Sequence, residues 1–291
     1  MGTTRPFRFG TGAFEATSKL AWAENARRAE ALGYATLLVA DHLATIPFAS
    51  VPAMVAAADA TTTLRVGCTV FANDYRHPAL LAKEAATLDV LTDGRLEFGR
   101  GAGWVKTEHD QAGIPFDPPG VRVERMEESL RVIKGLWGDG PVTFVGSHYT
   151  ITGLEGTPKP VQRPHPPIFL GGGGKRLLSF AAREATIIGI MPKALPSGGL
   201  DWAGSTEATL AEKVGWVHQA AGERVAHLEL SLLLFGLAVT DRPWEATEHI
   251  AQAFGLSPEQ VAAAPDFLIG SVEQIVERLL GFREQYGISY V

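Results

Sequence analysis

Short apolar runs without polar alternation recur along this chain, and each is separated from the next by a segment of helical period. The runs at 35–40, 64–71 and 185–190 read as strands buried on both faces, the habit of parallel sheets. Ahead of the first of these runs, Trp22, Ala26, Ala29 and Leu32 share one face of a helix over 18–32, and Gly33 is placed to cap it. Pro78 suits the first position of another helix, with Leu81, Leu88 and Leu91 as its inner stripe and Asp93-Gly94 as its stop. Further strands are expected at 7–10, 96–98, 166–170, 228–239 and 288–291, and further helices at 52–60, 175–183, 210–221 and 244–254. Ser271 and Gln274 form a capping-box pattern ahead of the last helix.

Eight such alternations in 291 residues predict an α/β fold, a (β/α)8 TIM barrel, over 1–291 as a single domain. An insertion between strands 4 and 5, at about 105–165, is part of the expectation. It holds a helix whose face is Val123, Met126, Leu130, Ile133 and Trp137, a hairpin over 143–151 turning at Gly146-Ser147, and a proline-rich return path over 158–167. A doubly wound sheet is the rival architecture, disfavoured by the strand count and even spacing. In a barrel the loops after the strands form one mouth, so Asp41-His42, 73–77, 100–109 and 171–176 are expected to converge there.

The strand ending at Leu170 runs into Gly171, Gly172, Gly173 and Gly174, and a helix headed by Lys175 and Arg176 follows. Glycines let backbone N–H groups approach an anion, and a helix start adds positive potential, so the stretch reads as a phosphate cradle. Its spacing matches neither G-x-G-x-x-G nor G-x-x-x-x-G-K-[ST], which points to a nucleotide- or flavin-like monophosphate; a plain flexible turn is the alternative.

A net charge of −6 with no basic run argues against nucleic acid and an anionic membrane as partners and leaves small molecules. No apolar run approaches bilayer length and the N-terminus is not leader-like, so a cytoplasmic protein is expected. The one cysteine, Cys68, lies in an apolar run and reads as a buried, inert thiol in a reducing compartment.

Residues 37–42, 73–78, 93–104, 122–137 and 168–176, in that order along nearly the whole chain, resemble the bacterial luciferase-like monooxygenase superfamily. More narrowly they resemble its branch that uses the deazaflavin coenzyme F420. The resemblance implies hydride transfer between the deazaflavin C5 and a carbon centre of a small organic substrate. Reduced FMN and oxygen-dependent monooxygenation are the alternative. It also implies a catalytic place beside the ring for His42, with Asp41 next to it. The structural alternative is that His42 fixes the strand–loop junction through Asp41 or backbone. By the same resemblance Val70, Phe71, Ala72 and Asn73 line the back of the ring, often through a strained non-proline peptide. Gly101, Ala102 and Gly103 form the next ring-facing loop, and Gly171, Gly172, Gly173, Gly174, Lys175 and Arg176 take the phosphate. Thr186 stands where the family commonly has an aspartate. A homodimer is expected.

Other residues remain open between two roles. Trp104 either stacks on ring or substrate or packs under the insertion, and Phe14 is a substrate-wall candidate. Glu108-His109 either supplies an acid or base or is solvated on an exposed helix. Arg100 meets an anionic cofactor tail or pairs with Glu97. Residues 191–206, rich in glycine and proline, form a candidate lid. Two rival classes stand beside the oxidoreductase. A metal-dependent hydrolase would use Asp41, His42, His77 and His109, but the first strand has no His-x-His pair and no metal is expected. A relative that binds flavin without turnover is the other.

Overall fold

A computed structural model describes residues 5–12 and 16–291, so Phe14 lies outside the described residues. The chain divides into two compact units, Phe9–Leu170 and Gly171–Val291 with the N-terminal residues up to Arg8.

The first unit contains β1 (Gly10–Gly12), α1 (Lys19–Ala31), β2 (Thr36–Val39), α2 (Ser50–Asp59), β3 (Arg65–Cys68) and β4 (Phe71–Ala72). It continues through α3 (Pro78–Leu91), β5 (Leu96–Gly101), α4 (Lys106–Ala112), α5 (Pro119–Trp137), β6 (Pro141–Val145), β7 (Thr150–Glu155) and the start of β8 (Ile168–Gly172). Its strands lie in the order β1-β2-β3-β5-β8, with β4 beside β5. Ser18 caps α1 by accepting from Ala21 N–H, and Pro78 opens α3 as the sequence predicts. Trp137 of α5 packs on the sheet and ties it to α3. The Phe98 ring on β5 lies 5.9 Å from Phe71 and 5.0 Å from Trp137, whose indole donates to the Ala82 carbonyl at 2.9 Å. The proline-rich return path is pinned by buried Asp89, which accepts from Gln162 N–H at 2.9 Å and from the Gln162 amide at 2.6 Å.

The second unit contains the end of β8, α6 (Lys175–Glu184), β9 (Ile187–Ile190), α7 (Glu207–Ala221), β10 (Glu229–Leu232) and β11 (Gly236–Val239). Then come α8 (Pro243–Phe254), α9 (Pro258–Ala263), β12 (Phe267–Gly270), α10 (Val272–Tyr286) and β13 (Ile288–Tyr290). Strands β8-β9-β10-β13 are neighbours, and Arg8 forms a parallel bridge with Tyr290. The expected capping box of Ser271 and Gln274 starts α10. The order β1-β2-β3-β5-β8-β9-β10-β13, with a helix between successive strands, is that of the (β/α)8 barrel. The expected insertion lies between its fourth and fifth strands, β5 and β8. Among the described residues no helix is long and apolar enough to cross a membrane.

Several expected boundaries shift. The first strand is Gly10–Gly12 instead of 7–10: Arg8 forms its bridge with Tyr290, and Phe9 accepts from Ala35 N–H just ahead of the β1–β2 pairing that begins at Gly10. The run over 64–71 is two strands, β3 and β4, separated by a cis peptide at Thr69-Val70. The fourth strand extends through Gly101, all six residues buried. Gly99 is required inside it: a Cβ there would sit 1.6 Å from the Cys68 carbonyl oxygen, so the glycine marks close approach of β3 and not the end of the strand. Leu91 is 57% exposed, at the end of its helix and off the inner stripe. The apolar run over 228–239 divides into β10 and β11, which belong to different sheets. The intervening Phe235 turns away to pack 4.9 Å from Trp202, and its N–H is bound by the Asp266 carbonyl. The partner of β11 is β12, a strand the hydrophobic pattern alone does not reveal.

Candidate active site

The end of β2 delivers Asp41 and His42 in sequence, but their side chains do different things. Asp41, 8% exposed, accepts from Ser50 Oγ at 2.6 Å, from Ala72 N–H at 3.1 Å and from Arg76 at 2.7 Å. These three donors tie β2, α2, β4 and the following turn together through that carboxylate. It does not bond His42.

His42 instead places Nδ1 3.0 Å from Oε2 of Glu108. Glu108, on α4, is 2% exposed and serves as a hub. Tyr75 donates to its Oε2 at 3.0 Å and Ala44 N–H to its Oε1 at 3.1 Å. Burial pushes the Glu108 carboxyl up, but the Ala44 N–H, His42 and Tyr75 more than offset this and the net shift is downward. A carboxylate is acceptor-only, so the neutral imidazole that meets it carries its hydrogen on Nδ1, leaving Nε2 bare. Such an imidazole takes or returns a proton at Nε2. Trp104 stands edge-on to it, ring centroids 5.8 Å apart, and is half-buried.

The sequence leaves Glu108-His109 open between chemistry and an exposed helix, and the structure removes the exposed helix: Glu108 is 2% and His109 0% exposed. His109 Nδ1 bonds the Val105 carbonyl at 2.9 Å, and its ring packs on Tyr75 and Phe116. Neither role expected for Arg100 holds. It is 0% exposed and donates to Asn73 Oδ1 and Ser129 Oγ, while Glu97 pairs with Arg65 at 2.9 Å. Burial lowers the Arg100 guanidinium to about 10.

The expected ring-lining segments are placed as follows. Thr69-Val70 is a cis non-proline peptide, and Val70 is partly exposed. Phe71 and Asn73 turn their side chains inward, Phe71 onto Phe98 and Asn73 onto Arg100 and Tyr149. The 101–104 loop is held by Arg122, whose guanidinium donates to the Gly103 carbonyl and to that of Ala102 at 3.2 Å while lying 4.0 Å over the Phe116 ring. This clamp has no signature in the sequence beyond an arginine near a helix start. Among the described residues no group of three or more His, Cys, Asp or Glu is arranged to hold a metal ion.

In the other unit the four glycines differ in kind. A Cβ on Gly172 would lie 2.1 Å from Leu177 Cδ2, and one on Gly173 would lie 2.5 Å from the Met191 carbonyl oxygen, so these two are explained by packing. Gly174 has open space around its Cβ position and is the N-cap of α6, with no side-chain cap and no acid in the first turn. The first N–H groups of α6 therefore fit an anionic group, with exposed Lys175 next to them. Arg176 has interactions of its own.

Comparison with known proteins bears on family and fold. A profile of the family described as luciferase-like monooxygenase matches residues 19–289. An FMNH2-dependent dimethylsulfone monooxygenase of Pseudomonas putida is 37% identical over 124 residues, 43% of this chain and 34% of that protein. An F420-dependent glucose-6-phosphate dehydrogenase of Amycolatopsis mediterranei is 29% identical over 169 residues, 55% of this chain and 50% of that protein. The chain thus matches a third to a half of the length of these curated relatives. In fold it resembles an F420-dependent secondary alcohol dehydrogenase solved with an F420–acetone adduct, with a TM-score of 0.82 at 20% identity, covering 98% of this chain and 92% of that one.

Proposed function

The chain belongs to the luciferase-like monooxygenase family, and from that premise we propose that it is an F420-dependent oxidoreductase acting on a small organic substrate. The observation that carries the proposal is His42, held by a buried carboxylate at 3.0 Å with its other ring nitrogen bare. When bound, the deazaflavin supplies two-electron hydride chemistry at a carbon centre. Oxidising an alcohol or reducing a carbonyl in this way also moves one proton at the substrate oxygen. His42 handles that proton at Nε2, and Glu108 stabilises the imidazolium that results. Trp104 limits how the imidazole is approached, and the Gly174 end of α6, taken by itself, is suited to a phosphate.

A second reading, oxygen-dependent monooxygenation with reduced FMN, is favoured by the match to the dimethylsulfone monooxygenase, the more identical of the two curated relatives. The two are separated by calorimetric titration of the protein with oxidised F420 and with FMN, repeated on Gly174→Asp. Aspartate is a good N-cap and meets open space here, so this variant folds, while its carboxylate opposes a phosphate. Tight binding of F420 alone, weakened in the variant, supports the proposal. Preference for FMN moves the function to oxygen chemistry, and binding of neither overturns the cofactor assignment.

A further inference from the structure

We propose that Tyr75 is a positioning residue for His42, acting through Glu108: its hydroxyl and the His42 Nδ1–H end on the same carboxylate oxygen and together keep that carboxylate charged. The proposal rests on the function assigned above. Both donors reach Oε2 at 3.0 Å, whereas Oε1 is taken by Ala44 N–H at 3.1 Å and approached by Thr45 Oγ1 at 3.5 Å. A proton placed on Oε2 would face two hydrogens already pointing at that oxygen. Tyr75 donation and a protonated Oε2 therefore compete, and the phenol favours the anion.

The phenol is suited to the task. It sits on a 3-10 turn, Asn73–Tyr75, that follows β4 directly, and its ring lies 5.2 Å from that of buried His109. The His109 ring is itself fixed by the Val105 carbonyl, so Tyr75 cannot swing away on that side. Burial, then the bond to Glu108, push the Tyr75 hydroxyl up, and it stays a donor throughout the working range. The charged groups acting on it are Glu108 on α4, Asp41 after β2 and Asp74 on its own turn. Without the hydroxyl, Oε2 keeps one donor and protonation of Glu108 becomes easier. A protonated Glu108 donates to Nδ1 instead of accepting from it, and the hydrogen of the neutral imidazole moves to Nε2, the position that must be bare to act as base.

Tyr75→Phe tests this, since it keeps the ring and its packing and removes only the hydroxyl. Side-chain 15N spectra of the protein without cofactor show which His42 nitrogen carries hydrogen, and the infrared carboxyl band assigned by difference against Glu108→Gln shows where Glu108 protonates. Wild type should hold the Nδ1–H form. Tyr75→Phe should show a mixed population of tautomers, with the Glu108 band persisting to higher pH. A wild-type spectrum and an unmoved carboxyl band in the variant overturn the proposal and leave Tyr75 a packing group. With F420 and any alcohol or carbonyl that is turned over, Tyr75→Phe should lower kcat about tenfold at constant KM and move the acid limb of the pH profile upward. A loss uniform in pH and shared by KM overturns it as well. If no F420 turnover is found the proposed function fails, and the spectra still decide the role of Tyr75.

Discussion

Glu108 Oε2 lies 3.0 Å from His42 Nδ1, and the two residues are separated by 66 positions of sequence. The pair joins the end of β2 to a short helix of the insertion. Because Glu108 is 2% exposed, water does not share its charge, and the interaction is stronger than a surface pair would be. Glu108→Gln keeps size and burial but removes the charge that stabilises imidazolium. The expected outcome is a loss of about 10²–10⁴ in kcat, the usual scale of a general acid–base contribution, with F420 affinity within a few-fold of wild type. Steady-state kinetics beside the binding titration check it; equal losses in affinity and kcat would refute the assignment.

Asp41 is expected to behave differently from its neighbour. Its carboxylate holds Arg76 at 2.7 Å, Ser50 and the Ala72 N–H, and burial first works against the Arg76 guanidinium before Asp41 raises it. Asp41→Ala leaves the half-buried guanidinium with Glu84 at 3.5 Å as its ion-pair partner among the described residues, and an unmade backbone bond at Ala72. Breaking such a pair costs about 3 kcal/mol. Urea unfolding should show it as a shift in midpoint at constant slope. A change under about 1 kcal/mol would mean that the residue anchors little and that its buried charge has to be explained by chemistry instead.

The contrast between these two acids shows how much of the site was legible in the sequence. The barrel, the insertion and the placing of His42 at a strand end follow from periodicity and from loop position, which local sequence encodes. Glu108 was visible only as one acid on a short polar helix, Lys106–Ala112, whose composition resembles a solvated one. Its burial depends on the 42–45 loop folding over it, a contact no local pattern announces. Arg122 and Tyr75 were hidden for the same reason: each acts on a residue well removed in sequence, Arg122 on the Ala102 and Gly103 carbonyls and Tyr75 on Glu108. The split of 228–239 into two strands was hidden differently, since an apolar run says neither which sheet it joins nor which of its residues stay outside: on β11 Leu237 is 57% and Val239 63% exposed.

The glycine run makes a third prediction, in which one residue type serves two purposes. Gly173→Ala puts a Cβ 2.5 Å from the Met191 carbonyl oxygen and 2.6 Å from Lys193 N, backbone atoms that do not yield easily. The expected cost is about 3 kcal/mol, as for overpacking a core. Gly174→Ala meets nothing within 4 Å and has φ −100, so it should be within about 0.5 kcal/mol of wild type. Thermal unfolding of both variants gives the comparison. Equal stabilities would mean that the packing around Gly173 is looser than its distances imply.

The last prediction concerns the second unit and a buried acid unrelated to the proposed chemistry. Asp266 is 1% exposed and accepts from Ser205 Oγ at 2.5 Å, close behind the aromatic cluster in which Trp202 packs on Phe235, Phe254 and Phe267. Burial pushes its carboxyl from 3.8 up to about 6, against the opposing pull of Ser205 and Lys213. A folded value above the unfolded one means that the native state binds the proton more tightly. The resulting stabilisation is complete below about pH 4 and is lost as pH rises through about 6, a change of about 3 kcal/mol. Asp266→Asn has no such titration and its amide oxygen still accepts from Ser205. The stability of wild type relative to the variant should therefore fall between pH 4 and 6 and be flat above pH 7, in urea titrations at matched ionic strength. A difference that rises with pH over that interval would mean that Lys213 and Ser205 outweigh burial and that Asp266 is charged in the fold throughout.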